Sequence, residues 1–172
     1  MKKVIISCLL VGFIGIGSYF VNMDTKNDIA EAQLNTDYVV DKIESFALKE
    51  EDQVKVSSLE KEVSFGKDKK IFLFTQDSNK LGYAIFDGSK LVLVASGDGK
   101  QEYDQYGNFF IVYGEKPDMD ARELHILINR GPNHEDITET FELDEEKYYL
   151  VIKELPKGIK QTKVFSDNYN FK

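Results

Sequence analysis

Short apolar runs dominate the chain after residue 54, and the clearest of them are only four or five residues long. They are rich in aromatic and β-branched side chains, which in segments of this length favour strands over helices. Turn sequences separate the runs, and Asp87-Gly88 between two of them is a strong hairpin signal. The clearest predicted strands are 71–74, 83–86, 91–95, 109–113 and 148–152. Weaker or shorter runs at 54–58, 63–65 and 162–165 are also predicted strands, the last at a sheet edge before a frayed tail.

These runs are apolar at every position, which is typical of strands covered on both faces. Segment 123–130 differs, because apolar and polar residues alternate along it, and it predicts a half-exposed strand. Segment 137–143 alternates in a similar way, although Glu139 interrupts its apolar side. The connections between runs are too short for parallel crossovers, so we expect antiparallel pairing.

A helical pattern precedes the predicted strands, over residues 37–48, and Thr36 is a suitable N-terminal cap. One apolar stripe recurs at helical spacing and consists of Val39, Val40, Ile43, Phe46 and Ala47. This stripe fits packing onto the domain's own sheet better than binding to a partner. The predicted fold is therefore mainly β, at the margin of α+β. It is an antiparallel sheet, sandwich-like or curled, with one packed N-terminal amphipathic helix and a transmembrane or signal helix before it.

The N-terminal segment has the composition of a membrane-targeting sequence. Lys2 and Lys3 precede residues 4–21, an uncharged run of 18 residues. As a helix this run spans about 27 Å, close to the hydrocarbon thickness of about 30 Å. The two lysines place the N-terminus in the cytoplasm and the rest of the chain outside. We therefore expect the chain to contact the membrane through residues 4–21.

Three parts follow from this assignment. Residues 1–23 are predicted to be a signal anchor or transmembrane segment, residues 24–35 a polar tether and residues 36–172 an extracytoplasmic β-rich domain. The alternative is a secretory signal that is cleaved near Gly17. Both interpretations export the domain, either as a single-pass protein of the cell membrane or as a secreted protein.

Charge and cysteine content exclude several classes of partner and site. The formal net charge is −8, and the chain after residue 23, which lacks Lys2 and Lys3, carries −10. An acidic domain repels phosphate backbones, so we expect no nucleic-acid partner. The single cysteine, Cys8, lies in the apolar segment. The domain therefore has no disulfide, no Cys-ligated zinc and no catalytic thiol.

Glu123 and His125 are the main candidates for catalytic chemistry. They lie two positions apart on a predicted strand, so their side chains point to one face. A Glu–His pair can act as a general base or begin a metal site. No third ligand can be named, so we predict neither a metal site nor a cofactor, and a solvated sheet face is the simpler interpretation. The sequence contains no nucleophile elbow, phosphate loop or zinc-protease motif.

Aromatic and acidic residues give two further candidates for binding. Tyr103, Tyr106 and Tyr113 are candidates for lining a groove, and packing with their hydroxyls at the surface is the simpler interpretation. The turn at 77–80 begins like an EF-hand loop, but Gly88 occupies the twelfth position, where a bidentate Glu is required. The acidic turns therefore indicate at most a weak surface cation site.

Three stretches carry a family resemblance: LGYAIFDG at 81–88, FIVYGEKPD at 110–118 and YYLVIKELP at 148–156. They resemble small exported or membrane-anchored proteins of Gram-positive, Bacillus-type bacteria. The resemblance implies a basic and apolar leader before a compact β-rich domain. It implies no catalytic residues and no biochemical role.

The sequence thus predicts a membrane-tethered extracytoplasmic module that binds a protein partner or a component of the cell envelope. The missing catalytic motifs favour a protein that is not an enzyme. The alternative is a cell-envelope hydrolase or metal-dependent enzyme that uses His125 with acidic partners. A sensor of pH or of cations, based on the acidic domain, is a third hypothesis.

Overall fold

One helix and eleven strands occupy the residues that the computed structural model describes, which are 20–21, 34–49, 54–97, 100–129, 135–156 and 169–172. In chain order the elements are β1 (Phe20–Val21), α1 (Thr36–Lys49), β2 (Val56–Phe65), β3 (Lys69–Gln76), β4 (Leu81–Asp87), β5 (Lys90–Ser96), β6 (Gln101–Tyr106), β7 (Phe109–Glu115), β8 (Glu123–Ile128), β9 (Ile137–Glu142), β10 (Tyr148–Glu154) and β11 (Tyr169–Phe171). The mainly β class with one N-terminal helix is confirmed.

The strands form three antiparallel sheets, which we name A, B and C. Sheet A has five strands in the order β1-β5-β4-β3-β2. Sheet B has the order β10-β7-β6, and sheet C has the order β11-β8-β9. Every pairing between neighbouring strands is antiparallel, as the short connections predict.

Sheet A is covered on both of its faces. On one face Phe72, Phe74 and Phe86 pack against α1, where they meet the buried Val39 and Ile43. The residues that alternate with them point to the other face and pack against sheet B; they include Ile71, Leu73, Tyr83 and Ile85 from sheet A, and Ile111, Tyr113 and Leu150 from sheet B. Two-sided burial explains why β3, β4 and β5 are apolar at consecutive positions.

Sheet B is likewise an inner layer. Its second face, with Phe110, Val112 and Tyr149, packs against the inner face of sheet C. Sheet C contributes Leu124, Ile126 and Ile128, which are buried, while the residues between them are not. The order of the layers is therefore α1, sheet A, sheet B, sheet C. The half-exposed strand predicted at 123–130 is the central strand of the last layer.

Helix α1 is capped by Asn35 rather than by Thr36. The Tyr38 amide donates to Asn35 Oδ1 at 2.8 Å, and the Val39 amide donates to the Asn35 carbonyl at 3.0 Å. An Asn side chain at this position satisfies an amide that the helix itself leaves without a partner. Leu34, just before the cap, packs into the cluster beneath α1, so the contact with sheet A includes the residue that leads into the helix.

Two tight turns connect neighbouring strands where the sequence predicts hairpins. Asp87 pairs with Lys90, which leaves Gly88 and Ser89 as the two turn residues. Gly88 has a φ of 57°, in the left-handed region that favours glycine. Gly107 has a φ of 62° in the turn between β6 and β7. Both glycines let the chain reverse within two residues.

Two segments differ from the predicted strands. Residues 56–58 of the first weaker run and the whole of 63–65 belong to one ten-residue strand, β2, whose pairing with β3 shifts register twice. The C-terminal tail, predicted to fray, contains β11. The edge strand predicted at 162–165 lies outside the described residues.

Most of the predicted membrane segment, residues 1–23, also lies outside the described residues. Of its length the structure describes Phe20–Val21, which pair with Val94 and Leu93 at the edge of sheet A. Among the residues that the structure describes, no helix is both long and apolar enough to cross a membrane.

Lys116 joins the two loops that flank sheet C. The side chain follows β7 and is buried, and its ammonium donates to three carbonyl oxygens. The distances are 3.3 Å to Met119, 3.2 Å to Ala121 and 2.8 Å to Asp144. Met119 and Ala121 precede β8, and Asp144 follows β9. All three donors of the ammonium are therefore used to hold one end of the β8–β9 pair, where β8 begins and β9 ends.

A second lysine, Lys61 of β2, contacts the segment between β9 and β10. Its ammonium bonds to the Asp144 carboxylate and lies 3.0 Å from Glu146 Oε2. Burial disfavours the charge on Asp144, but hydrogen bonds from Lys61 and from the Glu146 amide outweigh it and hold the pKa of Asp144 below its ordinary value. This contact connects sheet A to the segment that joins sheet C to sheet B.

Replacement of Lys116 by methionine is expected to lower the free energy of unfolding by about 2–4 kcal/mol. The reason is that three carbonyls lose their charged donor while they stay near the interior. Urea unfolding followed by circular dichroism measures the change. Lys147→Met is the control, since Lys147 is exposed and its ion pair with Glu115 is a surface contact; we expect a change within about 0.5 kcal/mol. Equal effects of the two substitutions would contradict the role of Lys116.

Candidate functional site

The outer face of sheet C is the side of the stack that lies opposite α1. Within the described residues no other element packs over it, whereas both faces of sheets A and B are covered. Alternation along three strands places the polar residues of sheet C on this face. Its members are Glu123, His125 and Leu127 of β8, Thr138, Thr140 and Glu142 of β9, and Asn170 of β11.

The pairing register decides which of these side chains are neighbours. His125 lies opposite Thr140 of β9 on one side and opposite Asn170 of β11 on the other. Glu123 lies opposite Glu142. Side chains directly opposite each other on one face have Cβ atoms about 5 Å apart, so they interact directly. His125 therefore lies at the centre of the outer face.

Both ring nitrogens of His125 are hydrogen-bonded. Nε2 lies 2.9 Å from Glu123 Oε2, and Nδ1 lies 3.0 Å from Thr140 Oγ1. An ionised carboxylate only accepts, so Nε2–H donates to Glu123. In the neutral imidazole Nδ1 is then an acceptor, and the Thr140 hydroxyl donates to it. The three side chains form one chain of hydrogen bonds, which we call the outer-face relay.

The outer-face relay has the order hydroxyl, imidazole, carboxylate. In enzymes that use a hydroxyl nucleophile, the imidazole accepts the hydroxyl proton and a carboxylate orients the imidazole. Here the relay lies on an open sheet surface: Thr140 is exposed, and the side chains of His125 and Glu123 are 25% and 49% exposed. The same contacts also serve simply to satisfy polar groups on a sheet face.

Thr140 and Glu142 are the members of this site that the sequence did not single out. Alternation along 137–143 places them on the polar side of a strand, but alternation does not give the pairing partner. The register shows that Glu142 brings a second carboxylate next to Glu123. In the described part of the chain, no three His, Cys, Asp or Glu side chains converge closely enough to hold a metal ion.

The three candidate tyrosines do not share one face. Tyr113 is buried between sheets A and B, with its ring 5.3 Å from that of Tyr83. Tyr106 packs on the same side, near Phe65, whereas Tyr103 points towards sheet C. Positions an odd number of residues apart on a strand point to opposite faces, and Tyr103 and Tyr106 of β6 are three apart. The structure does not bring the three together as one groove.

The carboxylate of Asp77, at the start of the acidic turn, already bonds to neighbouring side chains. It accepts a hydrogen bond from the Ser57 hydroxyl at 2.7 Å and lies 3.5 Å from the Lys55 ammonium. The Ser57 hydrogen bond and the Lys55 charge lower the pKa of Asp77. Asp77 therefore has a structural role, as the partner of Ser57 and Lys55.

Glu139, which interrupts the apolar side of β9, is explained by an ion pair. Its carboxylate lies 3.0 Å from the Lys153 ammonium of β10. The pair lies in an open depression of about 590 Å³ between the ends of β9 and β10, which Ile137, Leu155 and Pro156 also line. The depression adjoins the edge of sheet C but does not include the outer-face relay.

Comparison with known proteins provides no relative from which a function can be transferred. No protein-family model matches the sequence, and no curated protein matches it. No solved structure matches the fold. The function must therefore be argued from the outer face and from the N-terminal segment of this chain.

Proposed function

We propose that the chain is a membrane-tethered, extracytoplasmic binding module that contacts a protein partner through the outer face of sheet C. The observation that carries the proposal is the layer order, in which the outer face is the exposed side of the terminal sheet. A sheet whose inner side is anchored in a core offers a rigid and nearly flat surface. Rigid surfaces bind with little loss of conformational entropy.

The composition of the outer face supports a protein partner. Leu127, which is 37% exposed, lies on the central strand among polar and ionisable side chains. An apolar residue surrounded by hydrogen-bonding groups is the usual arrangement of a protein–protein contact. The net charge of −8 on residues 36–172 favours a partner with a basic surface, because opposite charges accelerate association.

The membrane tether is supported by the sequence of the first 23 residues. Lys2 and Lys3 followed by an uncharged segment fit a signal anchor with its N-terminus in the cytoplasm. In this proposal the anchor is residues 4–19, since Phe20 and Val21 pair with sheet A. A tether restricts the domain to one membrane, which raises its effective concentration towards partners on that membrane. The resemblance to small anchored proteins of Gram-positive bacteria agrees with this location.

We expect external protease to remove a C-terminal tag from the full chain in intact protoplasts, while the tagged chain sediments with membranes. The reason is that an anchored chain with a cytoplasmic N-terminus exposes its C-terminus outside. Immunoblotting of protease-treated protoplasts measures this, with a cytosolic protein as the control for lysis. A protected tag, or full-length chain in the cytosol, would contradict the tether.

A photo-reactive amino acid at Thr138 should give a discrete cross-linked adduct with a protein in intact cells. Thr138 is exposed on the outer face, and Ser45, which is also small and polar, is exposed on α1 at the opposite end of the stack. The same amino acid at Ser45 is the matched control and should not give this adduct. Leu127→Arg, in the chain labelled at Thr138, should remove the adduct if the outer face is the contact. Identical products from both positions, or none from Thr138, would argue against the proposal.

A cell-envelope hydrolase is the second candidate function, and the outer-face relay is the observation in its favour. His125 has both a hydroxyl and a carboxylate within hydrogen-bond distance. In this function Thr140 would attack an ester carbonyl while His125 takes the hydroxyl proton and Glu123 stabilises the imidazolium. The alcohol leaves with that proton, and water then hydrolyses the acyl-threonine. An open face suits an extended polymer better than an enclosed small molecule.

The hydrolase function predicts that the purified full chain hydrolyses p-nitrophenyl acetate faster than buffer does. Thr140→Ala and His125→Ala should each lower this rate about 100-fold or more, because general-base assistance is lost. Thr140→Ser should retain activity, and Thr138→Ala, on the same face but outside the relay, is the control. A rate that none of these substitutions changes would eliminate the hydrolase.

A further inference from the structure

Two tyrosine hydroxyls are buried in the layer between sheets B and C. Tyr149 of β10 is only 2% exposed, and Tyr169 of β11 is half-buried with its hydroxyl inside. Neither hydroxyl has a hydrogen-bond partner among the described residues. Polar groups buried without a partner are rare in folded proteins, and those that occur usually mark an internal water or an ion.

Gly114 explains how the Tyr149 hydroxyl reaches its position. Tyr149 pairs with Gly114 of β7, and its side chain extends over that glycine. A Cβ atom at Gly114 would lie 2.7 Å from Tyr149 Oη and 2.5 Å from the Lys100 carbonyl oxygen. The Tyr149 hydroxyl therefore lies in the space that a side chain at position 114 would fill, beside the Lys100 carbonyl. The Lys100 carbonyl already accepts from the Glu115 amide at 2.8 Å and has a second lone pair.

Tyr169 reaches the same layer from the opposite sheet. It pairs with Ile126 on the inner face of sheet C and packs into the cluster that contains Tyr149. The rings of Tyr149 and Phe171, two residues beyond Tyr169, meet at 5.7 Å. The two tyrosines therefore approach one interface from two different sheets.

Electrostatic effects between these groups support their proximity. Burial raises the pKa of Tyr149, and Tyr169 and Glu102 raise it further. Burial likewise raises the pKa of Tyr169, with Tyr103 and Glu102 acting in the same direction. Both phenols therefore stay protonated, so each has an O–H to donate and lone pairs that accept.

We infer that an internal water molecule lies between sheets B and C and bridges the hydroxyls of Tyr149 and Tyr169. Water fits this position because it both donates and accepts, as the two hydroxyls require. Globular proteins hold about one buried water for every 27 residues, and each typically makes about three hydrogen bonds. The Lys100 carbonyl is the natural third partner, since it and the Tyr149 hydroxyl lie beside the same glycine.

This water has a structural consequence for the outer face. Strand β11 has only three residues, and His125 lies opposite its central residue, Asn170. The strand is held at its end by the Lys172 carbonyl, which accepts from the amides of Arg122 and Glu123 at 2.6 and 2.9 Å. A bridge from Tyr169 to Tyr149 ties the other end of β11 to sheet B.

The water bridge is tested by whether removal of a tyrosine hydroxyl lowers or raises the stability of the fold. Tyr149→Phe and Tyr169→Phe, each in the full chain, should lower the folding equilibrium constant about 5- to 30-fold. In each case the water loses one partner and leaves the other hydroxyl poorly satisfied. The double substitution should cost less than the product of the two single effects, because both act through one water. Tyr148→Phe is the control, since its hydroxyl bonds the exposed Lys147, and we expect a change within about twofold.

If the hydroxyls have no partner, their removal relieves a desolvation penalty, and the single substitutions raise stability instead. Unchanged or increased stability in both would overturn the inference. A crystal structure of the full chain should show a water peak within hydrogen-bond distance of both hydroxyls, and this peak should be absent from Tyr149→Phe. A direct hydroxyl–hydroxyl contact with no water peak would overturn the inference even if the substitutions destabilise the fold.

Discussion

Burial of both faces of sheets A and B is the constraint on which the rest of the structure depends. A strand covered on both sides must be apolar at nearly every position, because either side chain orientation meets another layer. Strands β3, β4 and β7 satisfy this with consecutive buried residues. These strands have few positions left for recognition or catalysis. Polar side chains are therefore found on strands β2 and β6, which are less buried, and on the two terminal layers, α1 and sheet C.

The sequence predicts most of this fold because its signals are local. Helical spacing gives α1, unbroken apolar runs give the inner strands, and alternation gives β8 and β9. The cap at Asn35 is local as well, but Thr36 beside it is also a suitable capping residue. Strand β11 was not predicted because its partners are distant in sequence. The tail around β11 is polar in composition, and its backbone is ordered through bonds between Lys172 and the distant Glu123. Contacts between residues so far apart leave no pattern in a short window of sequence.

The candidate site was also predictable only in part. The pair of Glu123 and His125 was predictable, because two residues at spacing two on a strand share a face. Thr140 was not predictable as their partner, because alternation fixes the face of β9 but not its register. A shift of the pairing by two residues would keep every apolar side chain inside and would still replace Thr140 by another residue. The outer-face relay is thus a property of register.

Within β8, the residues that pack in the core alternate with the residues that face outwards and are available for recognition. Leu124 and Ile126 are fixed in the core on either side of His125, so the backbone at His125 has little freedom. The exposed residues between them can change at small cost in stability, since they contribute little to the core. A terminal sheet with this division can keep one rigid inner face while its outer face adapts to a partner. That division makes the outer face of sheet C the strongest candidate for function.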